Sequence, residues 1–107
     1  MADFVWGVGE VGVVYTFVLQ DADGTAINLT GKTVTLKYKA YPTPGSTTSR
    51  TCTVTGATTG TVTHTLVSGD TAAAGVFSYN FEISSSGYLD FVPKGQTLHQ
   101  FEVVAVV

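Results

Sequence analysis

Alternation with a period of two residues runs through most of this chain and constrains its fold more than any other feature. Tyr15, Phe17 and Leu19 alternate with Val14, Thr16 and Val18, and Val34, Leu36 and Tyr38 alternate with Thr33, Thr35, Lys37 and Lys39. Cys52 and Val54 alternate with Thr51, Thr53 and Thr55; Val62, His64 and Leu66 alternate with Thr61, Thr63 and Thr65. Phe77, Tyr79, Phe81 and Ile83 alternate with Ser78, Asn80 and Glu82. Successive strand side chains point to opposite faces, so each segment has one core face and one wet face. Threonine fills the wet face because a β-branched side chain suits a pleated surface. No window holds a helical period, and at most one helical turn is expected, near residues 70–74.

Turn chemistry divides the strands. Asp21, Asp23 and Gly24 close one, Gly31 precedes another, and Pro42 and Pro44 mark the longest loop. The segment from Gly56 to Gly60 reads as a hairpin connection, and Gly87 and Pro93 bracket a short strand from Tyr88 to Val92. Seven or eight short strands at intervals of about ten residues are expected of an antiparallel sandwich, with a small barrel as the alternative.

At 107 residues the chain fits one domain, residues 1–107, and 44% apolar content supplies a core. Charged residues are only 12% and the net charge is −3. The five bases (Lys32, Lys37, Lys39, Arg50, Lys94) form no dense patch, although Lys37 and Lys39 share a strand face, so nucleic-acid binding is not expected. A single cysteine, Cys52, excludes an intrachain disulfide. No apolar run is long enough for a membrane helix, and the opening residues lack the basic and apolar regions of a signal peptide. The starting Met1 and the end at Val107 are expected to bound a complete chain.

Two segments break the alternation: the Gly-rich apolar run from Phe4 to Val14, and the end of the chain from Phe101 to Val107. Apolar residues on both faces imply burial on both. Either these termini are central strands, the favoured expectation, or another subunit covers them. Trp6, Val104, Val106 and Val107 are the candidate interface residues. Truncating 104–107 is then expected to impair assembly while sparing the monomer.

Chemistry-bearing constellations are sparse. Asp21 and Asp23 suggest a calcium loop, but the further ligands are missing and a turn explains them. His64, His99 and Cys52 lack paired zinc spacings; His64 reads as a buried neutral histidine donating to a backbone carbonyl and Cys52 as a small core filler. No nucleophile elbow and no phosphate loop before a helix occurs. The carboxylates fall in turns or on wet faces, so none is expected to be buried with a shifted pKa. Hence no catalytic, cofactor or metal residue is assigned and no enzyme is expected. Trp6, Tyr41, Tyr88 and Phe91 are the aromatics expected near loops or strand ends, where sugar platforms and interface anchors use the same residue types; the favoured expectation is that most of them are residues at the edge of the core.

The order of motifs nevertheless resembles a known family. Phe17 to Gly24 (a strand and an Asp-x-Asp-Gly turn), Ile27 to Gly31, then Val34 to Leu36, is similar to the opening of the N-terminal domain of phage baseplate upper proteins. The later run Gly60 to Leu66, Asp70-Thr71 and Gly75 to Ile83 is similar as well, so the resemblance covers nearly the whole chain. It implies an immunoglobulin-like β-sandwich in a tailed-phage virion. The implied function is a non-enzymatic adaptor or decoration module of baseplate, tail or head, made in the host cytoplasm. The implied partners are other virion proteins, with a homo-oligomer as a further expectation. The alternative is a carbohydrate-binding module recognising host surface glycan, which would present two or three coplanar exposed aromatics.

Overall fold

The computed structural model describes residues 4–21, 23–41, 47–92 and 99–105. The proline loop 42–46, the segment 93–98 and the candidate interface residues Val106 and Val107 lie outside the described residues.

Among the described residues, nine strands and two short 3₁₀ turns make up the regular structure: β1 (Phe4–Gly7), β2 (Val14–Val18), β3 (Thr33–Tyr41), β4 (Thr48–Thr51), β5 (Thr53–Gly56), β6 (Thr61–Thr65), β7 (Gly75–Ser85), β8 (Tyr88–Val92) and β9 (Gln100–Val104). The turns are Ala57–Thr59 and Ser68–Asp70. The count exceeds the expected seven or eight because Cys52 divides what would be one strand into β4 and β5. The first pairs with β3 and the second with β6, so this segment passes from one sheet to the other. The helical turn ends at Asp70, where the sequence pattern expects one to start.

One sheet runs β1-β9-β7-β3-β4, with β8 paired beside β9 along the same edge of β7; the other runs β2-β6-β5. These two sheets pack face to face as an all-β sandwich. The orders β2-β6-β5 and β3-β7-β9 correspond to the B-E-D and C-F-G strands of immunoglobulin-like domains, with which the topology is compatible. One pair departs from the antiparallel expectation: β1 runs parallel to β9, with Trp6 opposite Val103. Strand spacing anticipates only hairpins between sequence neighbours, whereas this pair joins opposite ends of the chain.

The alternating residues fold as their pattern dictates. Val34, Leu36 and Tyr38 of β3, Phe81 and Ile83 of β7, and Val62 and Leu66 around β6 are buried. Phe101 is the hub of an aromatic layer: it stacks on Phe4 at 5.0 Å and on Phe77 at 5.2 Å, and its ring centroid lies 4.5 Å from that of Trp6. Such pairs add about 0.5–1.5 kcal/mol each beyond area burial. The expectation of central termini holds for β9, which lies between β1 and β7, and fails for β1, which is a sheet edge.

Gly60 shows how tightly the loops are seated. It ends the first 3₁₀ turn at φ +68°, and a Cβ there would lie 2.5 Å from the Leu19 carbonyl oxygen. The Leu19 N–H in turn donates to the Gly60 carbonyl. Only glycine meets both demands.

Candidate functional site

The polar chemistry of the core concentrates on Asp70. The 3₁₀ turn Ser68–Asp70 delivers this carboxylate between the sheets, where its side chain is fully shielded from solvent. Oδ1 accepts the Tyr38 hydroxyl of β3 and the Arg50 Nε–H of β4, the latter at 2.7 Å. Oδ2 is hydrogen-bonded to His64 Nε2 of β6 at 2.8 Å and accepts the Val67 N–H at 3.1 Å. One carboxylate thus ties two strands of the larger sheet to the middle strand of the smaller. Burial raises its pKa, but the hydrogen bonds from Tyr38, Arg50, Val67 and His64 outweigh burial and hold it below the ordinary value. Tyr38 is driven the other way, first by burial and then by its bond to Asp70.

The junction corrects two sequence readings. A buried, shifted carboxylate exists where none was expected, and the partner of His64 is that carboxylate rather than a backbone carbonyl. The missed signal was His64 itself: a core-facing histidine needs a buried polar partner, and Asp70 lies only six residues on. Chemically the junction is closed. A carboxylate has about four acceptor sites, and four donors occupy them. No acceptor is left over to serve as a general base.

A neighbouring set of bonds pins the crossing from β1 to β2. Thr71 Oγ1 donates to the Glu10 carbonyl, and Glu10 Oε1 accepts the Gly7 N–H at 2.7 Å and the Tyr15 hydroxyl at 3.1 Å. This crossing carries the chain from the edge of one sheet to the edge of the other.

The remaining sequence candidates fall as follows. Trp6 is not an interface residue of the isolated chain: it is 0% exposed, because the alternation of β1 turns Phe4 and Trp6 inward and Val5 outward. Val104 is exposed at the end of β9, opposite Gly7. Asp21 Oδ1 accepts the N–H groups of Asp23 and Thr25, which is turn chemistry. Cys52 is buried, and burial pushes its thiol pKa up to about 11. Among the described residues no three His, Cys, Asp or Glu side chains converge as a metal site would need.

Two surfaces remain. The first is the outer face of the three-stranded sheet. Val14, Thr16 and Val18 of β2 stand opposite Thr65, Thr63 and Thr61 of β6, and Thr53 of β5 continues the Thr63 row. None of these three strands contains Asp, Glu, Lys or Arg. Val14 and Val18 are 57% and 54% exposed, and Val11 and Val13, just before β2, are exposed as well.

The second is a groove of about 500 Å³ on the outer face of the six-stranded sheet. Lys37 and Lys39 of β3, Ser49 of β4, Ser78 and Asn80 of β7 and Phe91 of β8 line it. It opens where β7 changes partners, between Ser78 opposite Gln100 of β9 and Phe81 opposite Val92 of β8. Of the exposed aromatics, Tyr41 stands at the end of β3. Tyr88 lies beneath the Lys32 ammonium, and Phe91 sits at the groove.

A scan of the chain against protein-family models finds no match, and a search of curated proteins finds none either.

Proposed function

We propose that this chain is a non-enzymatic structural module of a bacteriophage virion, an adaptor or decoration domain that docks onto another virion protein. The uncharged valine and threonine face of β2-β6-β5 carries this reading. An edge strand that exposes its backbone and its valines, with no charge or proline to deter pairing, is a surface built for association. The resemblance of the Phe17 to Ile83 motifs to phage baseplate upper proteins supplies the setting. The occupant is a neutral, largely apolar surface or strand of a neighbouring virion protein, since a charged partner would be desolvated here without compensation.

The test is quantitative mass spectrometry of phage particles purified from a culture that produces the chain. Stoichiometric incorporation is expected, and Val14→Lys with Val18→Lys should abolish it without moving the unfolding midpoint. Presence in the lysate but not in particles overturns the reading. Light scattering over a concentration series separates one further occupant, a second copy of the chain.

A second reading, a carbohydrate-binding module for host surface glycan, is favoured by the groove on the opposite sheet. It combines hydroxyl and amide groups with one exposed aromatic ring, the chemistry by which concave sites orient small polar ligands.

A further inference from the structure

We infer that the groove between β4, β3, β7 and β8 is a binding site for a sugar carrying a single carboxylate, such as a uronic acid residue of a glycan. This rests on the carbohydrate reading above and adds the class of sugar and the residue that selects it.

Charge decides the class. Two lysines on one face of β3 stand about 7 Å apart, two residues along a strand. Lys37 is already neutralised: its Nζ lies 2.7 Å from Glu82 Oε2. Lys39 is exposed, and its cross-strand row consists of Ser78 and Gln100, which bring no carboxylate. Among the described residues, the groove therefore presents one positive charge, Lys39, without an ion-pair partner. A carboxylate matches that charge one for one, whereas a phosphate, at about −1.5 to −2, exceeds it.

The rest of the lining fits the other parts of a sugar. Ser49 and Asn80 flank Lys37 on its two neighbouring strands, and Ser78 flanks Lys39. These short polar groups match ring hydroxyls, which both donate and accept. The Asn80 carboxamide has an acceptor oxygen that is shielded from solvent and makes no hydrogen bond. A half-turn of the amide exchanges its oxygen and nitrogen, so Asn80 can present a ligand hydroxyl with either. Phe91 is 41% exposed beside these groups and offers a face for the apolar C–H side of a pyranose ring. The volume of about 500 Å³ lies within the range of small-ligand sites and suits one or two sugar rings.

The experiment is a titration of the ¹⁵N-labelled full chain, followed by amide shifts, with glucuronate, glucose and acetate as separate probes. Glucuronate should perturb amides around residues 37–39, 49 and 78–80, more tightly than glucose does. Lys39→Gln should weaken glucuronate by about tenfold, the scale of one hydrogen bond to a charged group, and leave glucose unchanged. Phe91→Ala should weaken both sugars. Equal affinities for glucuronate and glucose, insensitive to Lys39→Gln, would overturn the acidic-sugar inference and leave the carbohydrate reading standing. Acetate binding as tightly as glucuronate at the same amides would reduce the site to a bare cation. Failure of every sugar to perturb the groove would overturn both. Lys39 is exposed, so the variant should retain the parent's unfolding midpoint.

Discussion

Replacing Asp70 by alanine removes a fully buried carboxylate that bonds to both sheets at once. The Tyr38 hydroxyl and the His64 ring nitrogen would then be stranded, since both residues are at most 5% exposed. Each unsatisfied buried group costs about 1–3 kcal/mol. Arg50 loses less, because its side chain is 30% exposed and can turn to water. The sum is about 4 kcal/mol, in line with the loss of one partner from a buried ionic network. A domain of this size holds about 5–15 kcal/mol in total, so the variant should fold only marginally. In urea, with a slope of about 2 kcal/mol per M, the midpoint should fall by about 2 M.

The control is Tyr38→Phe, which removes one donor, leaves the carboxylate with three, and should cost about 1 kcal/mol. In the Asp70→Ala background the same substitution should be close to neutral, because the hydroxyl has already lost its partner. If Asp70→Ala costs no more than Tyr38→Phe, the carboxylate is not the joint between the sheets. If the two losses simply add, the two groups are not coupled, and the hydrogen bond carries no stability.

Other perturbations follow from the same structure. The folded pKa of Asp70 lies below its ordinary 3.8, so its contribution is fully present above 3.8 and is lost as pH falls through the folded value; the gap in urea midpoint between the parent and Asp70→Asn should be widest at neutral pH and narrow progressively as pH falls below 3.8. Cys52, with its thiol raised from 9.0 to about 11, should resist iodoacetamide in the native state and react at full rate in denaturant, as followed by mass spectrometry. Gly60→Ala forces a Cβ against the Leu19 carbonyl at a positive φ and should cost at least about 1–3 kcal/mol in chemical denaturation. Trp6→Ala should destabilise by about 3–5 kcal/mol, through the loss of a fully buried ring; a folded Trp6→Ala of parental stability would return Trp6 to the surface.

The sequence made the strand faces legible wherever one side of a strand is wet. Core and outer residues of β2, β3, β6 and β7 follow the alternation because threonine, lysine and serine tolerate water and valine, leucine and phenylalanine do not. Legibility failed where both faces are apolar. In Phe4 to Gly7 a valine points outward between two inward aromatics, so the pattern did not reveal that Trp6 is core. Nor did it pair β1 with β9, because nothing local relates the two ends of a chain. The Asp70 junction was hidden for a different reason: its carboxylate sits in a Ser-Gly-Asp turn whose composition is that of an exposed loop. Burial there is imposed by Tyr38, Arg50 and His64, drawn from three strands that only the folded sheets bring together.

The distribution of charge on the finished sandwich links its two candidate roles. Lys37, Lys39, Arg50, Glu82 and Glu102 all belong to strands of the six-stranded sheet, while β2, β5 and β6 carry no formal charge. A module that docks through the neutral face therefore covers surface that water solvates weakly and leaves the charged groove facing outward. The reverse orientation would bury Lys39 without a counter-ion, at the desolvation cost of an unpaired ammonium. The Asp70 junction lies between the two faces and bonds to both, so the uncharged sheet and the sheet that carries the groove are fastened by the same carboxylate. Weakening that joint should loosen the groove and the docking face together, whereas surface substitutions at Lys39 or Val14 should affect one and spare the other.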